Sequence, residues 1–181
     1  HDGKAEVIFV INVYNHQGTL KWSKPNEYGQ PATTAADVDG DGNMEVISDH
    51  SAWKHDGTML WTRTDLNAYH FPSIADFDLD GTPEIALVGA GKVIILNGND
   101  GKTFWGPIDL QTAGGGPPNI GDFDGDGFPE LGTAGEGLYA VIDLQCTGVP
   151  LPAGCDREGI RWGIPTKDIS SNVTGSSLFD F

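Results

Sequence analysis

Apolar residues come in short runs separated by polar, glycine-rich turns. Glu84-Ile85-Ala86-Leu87-Val88 and Lys92-Val93-Ile94-Ile95-Leu96 are mostly apolar throughout, as strands buried on both faces should be. Pro72-Ser73-Ile74-Ala75 precedes them, and Thr103-Phe104-Trp105 follows a turn over Asn97–Gly101, so this stretch predicts a unit of four strands. In the preceding unit the matching middle strand, Ser51-Ala52-Trp53, is short and more polar. No stretch sustains an apolar period of 3.6, so helix should be nearly absent.

The unit repeats. A turn followed by a tryptophan recurs as His16-Gln17-Gly18-Thr19-Leu20-Lys21-Trp22, His55-Asp56-Gly57-Thr58-Met59-Leu60-Trp61 and Asn99-Asp100-Gly101-Lys102-Thr103-Phe104-Trp105. A degenerate copy reads Arg157-Glu158-Gly159-Ile160-Arg161-Trp162. Asp-Gly between alternating apolar residues is a hairpin signal. Repeat periods of about 40–50 residues holding several short strands point to propeller blades. Because Trp22, Trp61, Trp105 and Trp162 share one phase, they should pack between blades rather than form ligand-stacking platforms. Trp53 is off that phase and is the better candidate for an exposed aromatic contact.

A second motif alternates with the first. Asp37-Val38-Asp39-Gly40-Asp41-Gly42-Asn43-Met44-Glu45, Asp76-Phe77-Asp78-Leu79-Asp80-Gly81-Thr82-Pro83-Glu84 and Asp122-Phe123-Asp124-Gly125-Asp126-Gly127-Phe128-Pro129-Glu130 each carry carboxylates at positions one, three, five and nine, with glycine at position six. Crowded carboxylates repel one another unless a cation lies between them, and Ca²⁺ is the hard cation that accepts many oxygens in a flexible loop. An EF-hand would need a bidentate Glu at position twelve and flanking helices. Position twelve is Ser48, Leu87 or Thr133, and strand-like sequence follows. An Asp/Gly turn without metal would not account for the Glu at position nine in all three. The expected ligands are the side chains of Asp37, Asp39, Asp41, Glu45, Asp76, Asp78, Asp80, Glu84, Asp122, Asp124, Asp126 and Glu130, with the carbonyls of Asn43, Thr82 and Phe128 and water completing the shells. Leu79 stands where the other loops have glycine; if that position needs φ > 0, loop two is strained and should bind weakest.

These loops resemble the D-x-D-x-D-G-x-x-[DE] loop of FG-GAP and VCBS repeats, which build the β-propellers of integrin α-subunits and many secreted bacterial proteins. The family's last acid is often Asp; here it is Glu each time. The resemblance implies an all-β, β-propeller-type fold of four repeat units, each a four-stranded antiparallel blade with a calcium-binding hairpin loop. It further implies a calcium-stabilised extracellular scaffold, secreted or at the cell surface and not itself an enzyme. Such a scaffold mediates adhesion, recognition or assembly with a protein or glycan ligand. The alternative is a non-catalytic or partial module of a secreted polysaccharide lyase or hydrolase. Asp-Gly-Lys-Thr-Phe-Trp also resembles the tryptophan-docking motif of quinoprotein propellers, over a few residues per repeat.

Formal charge is −16, from 26 acids against 10 bases, and the three loops hold twelve of those acids. Three Ca²⁺ would bring it to −10 (−16 plus 6). An acidic surface argues against nucleic-acid binding, which wants a basic face. No apolar run approaches the length of a membrane span. Cys146 and Cys155 flank a Pro/Gly-rich stretch and read as a disulfide-stapled insertion loop over 144–159, which fits an oxidising compartment. The alternative is a pair of free thiols. Asn172-Val173-Thr174 is a glycosylation acceptor pattern, short enough to occur by chance.

His1-Asp2-Gly3-Lys4-Ala5-Glu6 matches the second half of a calcium loop, and Leu178-Phe179-Asp180-Phe181 matches the start of one. The whole of 1–181 therefore reads as one domain of about four repeats. Either it is part of a larger propeller, the preferred reading, or Asp180 approaches Asp2 and Glu6, in the same chain or the next, as a split fourth site. The latter would give closure or head-to-tail self-assembly through open blade edges. The histidines are scattered and form no triad pattern, and Asp49, Asp65, Asp109 and Glu136 read as turn or surface acids.

Overall fold

The computed structural model describes residues 3–24, 32–66, 69–168 and 176–177. Every regular element among them is a β-strand, in four antiparallel sheets that follow the chain. The first sheet has three described strands, β1 (Val7–Phe9), β2 (Asn12–Tyr14) and β3 (Leu20–Ser23). The second contains β4 (Thr33–Ala36), β5 (Glu45–Ser48), β6 (Ser51–Trp53) and β7 (Met59–Thr62). The third contains β8 (Phe71–Ala75), β9 (Glu84–Gly89), β10 (Lys92–Asn97) and β11 (Thr103–Asp109). The fourth contains β12 (Asn119–Gly121), β13 (Glu130–Gly135), β14 (Leu138–Ile142) and β15 (Ile160–Pro165). Each sheet is an up-and-down meander. The first strands of successive sheets touch, β1 with β4, β4 with β8 and β8 with β12. The sheets are thus stacked like consecutive blades, and no closed propeller ring is seen among the described residues.

Alternation explains the apolar runs. Along β9 and β10, Ile85, Leu87, Ile94 and Leu96 turn to the second sheet, where they meet Val38, Ile47, Ala52 and Trp61. Their neighbours Ala86, Val88, Val93 and Ile95 turn to the fourth, against Leu131, Ala140, Ile142 and Ile160. A strand with core on both faces has no polar side to show, so its sequence cannot alternate in polarity. The first sheet contrasts with this, since it leaves Phe9 67% exposed.

The tryptophans owe their direction to a shared irregularity. In every sheet the outermost strand carries one extra residue immediately before the tryptophan: Lys21, Leu60, Phe104 or Arg161. A bulge of this kind re-aims the next side chain. Trp22 Nε1 donates to His55 O at 2.9 Å, and Trp61 Nε1 donates to Gly98 O at 2.7 Å, each in the following sheet. Trp61 lies flat over Gly101, where φ is +68° and a Cβ would stand 2.6 Å from the indole, so only glycine fits. Trp22 covers Gly57 in the same manner, and Trp105 reaches Gly159 with the outer edge of its ring, beside Ile108. Inter-blade packing thus holds for three of the four tryptophans. Trp162 instead packs in its own sheet, edge-on to Phe123 at 6.4 Å and tilted against Tyr139 at 6.0 Å.

Two expectations need correction. Ser51-Ala52-Trp53 is a fully buried central strand, because the sheets on either side supply the apolar surroundings that its own residues do not announce. Trp53 is consequently 6% exposed and offers no surface contact. The disulfide between Cys146 and Cys155 is present, with a Cα–Cα separation of 5.6 Å.

Candidate metal centre

The three nine-residue loops join the first and second strands of the second, third and fourth sheets, so they share one end of the array. The position-one aspartate shapes each turn by accepting backbone N–H groups. Asp37 accepts from Gly40 at 2.8 Å and Gly42 at 2.9 Å, Asp76 from Asp80 at 3.0 Å and Gly81 at 2.8 Å, and Asp122 from Gly125 at 2.6 Å and Gly127 at 3.0 Å. The residue at position seven is held by the acid at position five, with Asn43, Thr82 and Phe128 donating N–H to Asp41, Asp80 and Asp126. Position four has φ of +75° at Gly40 and +81° at Gly125, and Leu79 adopts +61° in the same place. The left-handed backbone anticipated for loop two is therefore real.

Carboxylate oxygens converge in every loop, but not always from the full set of four. Asp122, Asp124, Asp126 and Glu130 bring ligand atoms within 4.8 Å of one another. So do Asp76, Asp78 and Glu84 in loop two, and Asp37, Asp39 and Asp41 in loop one. Asp80 and Glu45 stand outside those groups.

The position-nine glutamates are the informative residues. Glu45, Glu84 and Glu130 are buried, and one oxygen of each accepts the N–H of position two, from Val38 at 3.1 Å, Phe77 at 2.8 Å and Phe123 at 2.5 Å. The other oxygen of Glu45 and of Glu130 is buried without a hydrogen bond. Burial raises the Glu45 carboxyl above its usual range and pushes Glu84 and Glu130 up to about 7, with the neighbouring aspartates adding to the effect. A buried carboxylate with an orphan oxygen beside other carboxylates is costly unless a cation is bound. All-oxygen donors in a turn of this shape suit Ca²⁺, which takes six to eight oxygens. The residues present fit that ion, which would neutralise the acids and fix the turn.

Sequence reading missed several participants. Lys54 Nζ lies 2.6 Å from Asp39 and 3.4 Å from Asp41, and Arg161 lies 2.9 Å from Asp124 and 3.7 Å from the buried Asp143. Both basic residues adjoin a tryptophan, Lys54 following Trp53 and Arg161 preceding Trp162, but nothing local couples them to the loop acids they meet. Asp49 is not a surface acid; it is 7% exposed and accepts the N–H of His70 at 3.0 Å. Of the split fourth site, Glu6 is exposed and pairs with Lys21 at 2.8 Å, while Asp2 and Asp180 lie outside the described residues.

Residues 53–133 match the family model of the FG-GAP-like repeat. This stretch of the chain is FG-GAP-like repeat sequence. The FG-GAP-like match runs from the end of β6 into β13 and takes in loops two and three. No curated protein sequence matches the chain. Among solved structures, the V. cholerae biofilm matrix protein Bap1 aligns at a TM-score of 0.67 and 18% identity, over 92% of this chain and 27% of that one. The rhamnogalacturonan lyase YesW aligns at 0.50 and 16%, over 93% of this chain and 39% of that one. At these identities the likeness is one of fold. The chain spans well under half the length of either protein.

Proposed function

We propose that the chain is a calcium-stabilised scaffold segment of an extracellular protein, presenting loops to a protein or glycan ligand rather than performing catalysis. The observation that carries this reading is the buried, orphaned oxygen of Glu130, whose carboxylate converges with those of Asp122, Asp124 and Asp126. Ca²⁺ bound there would join the turn to the second strand of each blade, so ion affinity becomes fold stability. A disulfide fits an oxidising compartment, and among the described residues no helix is long and apolar enough to cross a membrane. The biofilm matrix role of one structural neighbour accords with a surface scaffold and belongs to that protein.

A second reading, a module of a secreted polysaccharide lyase or hydrolase, draws on one cleft. A cavity of about 420 Å³ between the second and third sheets is lined by Arg63, Asp65, His70 and Lys92. Arg63 and Asp65 are spent on each other, with the guanidinium donating to both carboxylate oxygens at 2.7–2.8 Å, which favours the scaffold.

Calorimetric Ca²⁺ titration of the chelator-stripped chain tests the proposal. About three ions per chain, each raising the melting temperature, is the expected result. No uptake would return the loops to the status of plain turns and reopen the case for an acidic catalytic surface.

A further inference from the structure

At the end of the array opposite the calcium loops, Asp49, His50 and His70 come together. Asp49 and His50 form the turn between β5 and β6, and His70 immediately precedes β8 in the next sheet. Asp49 Oδ1 lies 3.1 Å from His70 Nδ1, and Asp49 Oδ2 lies 3.0 Å from His50 Nδ1. The three ligand atoms fall within 4.8 Å of one another.

We propose that Asp49, His50 and His70 bind a borderline transition-metal cation of the Zn²⁺ class, which staples the second blade to the third. Two imidazole nitrogens and a carboxylate are the donor set such ions select, whereas Ca²⁺ selects oxygens alone. Ligands about 2.0–2.1 Å from a tetrahedral ion stand roughly 3.3 Å apart, and each of the two oxygen–nitrogen separations lies within a few tenths of an ångström of that value. Asp49 and His70 are 7% and 6% exposed, and Asp49 Oδ2 is buried and accepts no hydrogen bond. That oxygen faces a ring nitrogen across a gap of the size a shared cation would span.

The turn itself does not call for aspartate. Val10 and Ala90 occupy the matching turns of the first and third sheets with φ of 57° and 51°, against 52° for Asp49. A hydrogen-bonded clip on the next strand would account for Asp49 Oδ1, which receives the His70 N–H, but not for Oδ2 or for the second imidazole. Solvent would take the fourth position.

The test keeps the chain in saturating Ca²⁺, so that the all-oxygen loops are filled, and titrates Co²⁺. One Co²⁺ per chain with the visible bands of four-coordinate cobalt, bleached by Zn²⁺, is expected. Zn²⁺ should also shift the ring resonances of His50 and His70 while leaving those of His16 and His55 in place. Asp49→Asn keeps the acceptor for the His70 N–H and removes the charge; it should weaken Co²⁺ binding at least about tenfold. If that variant does not fold, His50→Gln at the rim of the cluster gives the same reading. Absence of such cobalt bands in the native chain, or unchanged affinity in these variants, overturns the site. Because the histidine resonances report this cluster alone, the outcome is separate from whether the loops take calcium.

Discussion

Loop one has Lys54 at 2.6 Å from Asp39 and loop three has Arg161 at 2.9 Å from Asp124, whereas Asp78, in the same position of loop two, has no ion pair among the described residues. Three loops of one pattern therefore meet their own charge differently. In loops one and three the protein supplies part of the countercharge from a neighbouring strand, and an arriving ion must share or displace it. In loop two the ion has the acids to itself. Leu79 adds a second difference. Its left-handed backbone costs about 1–2 kcal/mol, but the turn is pinned by Asp76 accepting the N–H groups of Asp80 and Gly81, so the strain falls on the fold rather than on affinity. The expected order of filling is thus loop two first, the reverse of what the leucine alone suggests.

The largest effect should come from removing calcium. An ion that binds the folded chain alone stabilises by about 2.7 kcal/mol per site at a hundred times Kd, so EGTA should lower the melting temperature steeply in a thermal scan. If loop two depends most on the ion, hydrogen exchange in β8 and β9 should quicken more than in β12 and β13. Next comes Arg161→Met. It leaves the buried Asp143 without its cation and should cost about 1–3 kcal/mol in chelator by denaturant melts, while raising the affinity of loop three severalfold in calorimetry. Lys54→Met, on a more exposed and solvent-screened pair, should cost less than Arg161→Met in the same melts. If both variants leave ion affinity unchanged, the difference between the loops is not one of resident charge. Leu79→Gly should stabilise the chain by up to about 1 kcal/mol with calcium affinity at loop two unaltered; a change in that affinity would return the strain to the binding step.

One further effect is common to the loops and sharpens the contrast by its sameness. Glu84 and Glu130 have carboxyls raised from 4.5 to about 7 by burial. A carboxyl raised in the folded state favours folding below pH 4.5 and loses that contribution as pH climbs through about 7. In chelator, stability should therefore decline across that window, and in excess calcium, which holds the ionised form, the decline should vanish.

The loops, the strands around them and the disulfide could be read from sequence because their determinants lie within a few residues: acids at fixed spacing, two-residue alternation, cysteines bracketing a turn. Asp49 looked like a turn acid because its partner His70 lies beyond the whole outer half of a blade. Ser51-Ala52-Trp53 looked weak as a strand because burial there comes from neighbouring sheets. Arg161 was visible as the residue before a tryptophan, yet only the bulge, a property of register, turns it toward Asp124.

That bulge has one more consequence. Because it precedes the tryptophan in every sheet, and Trp22, Trp61 and Trp105 all reach into the sheet that follows, the array has a direction, with an indole-giving face and a glycine-bearing face on successive blades. Units of this kind can be stacked in one sense only. A blade turned about, or placed out of turn, would leave an indole uncovered on one side and a bare glycine turn on the other, so the polarity of the stack guards the order of its parts.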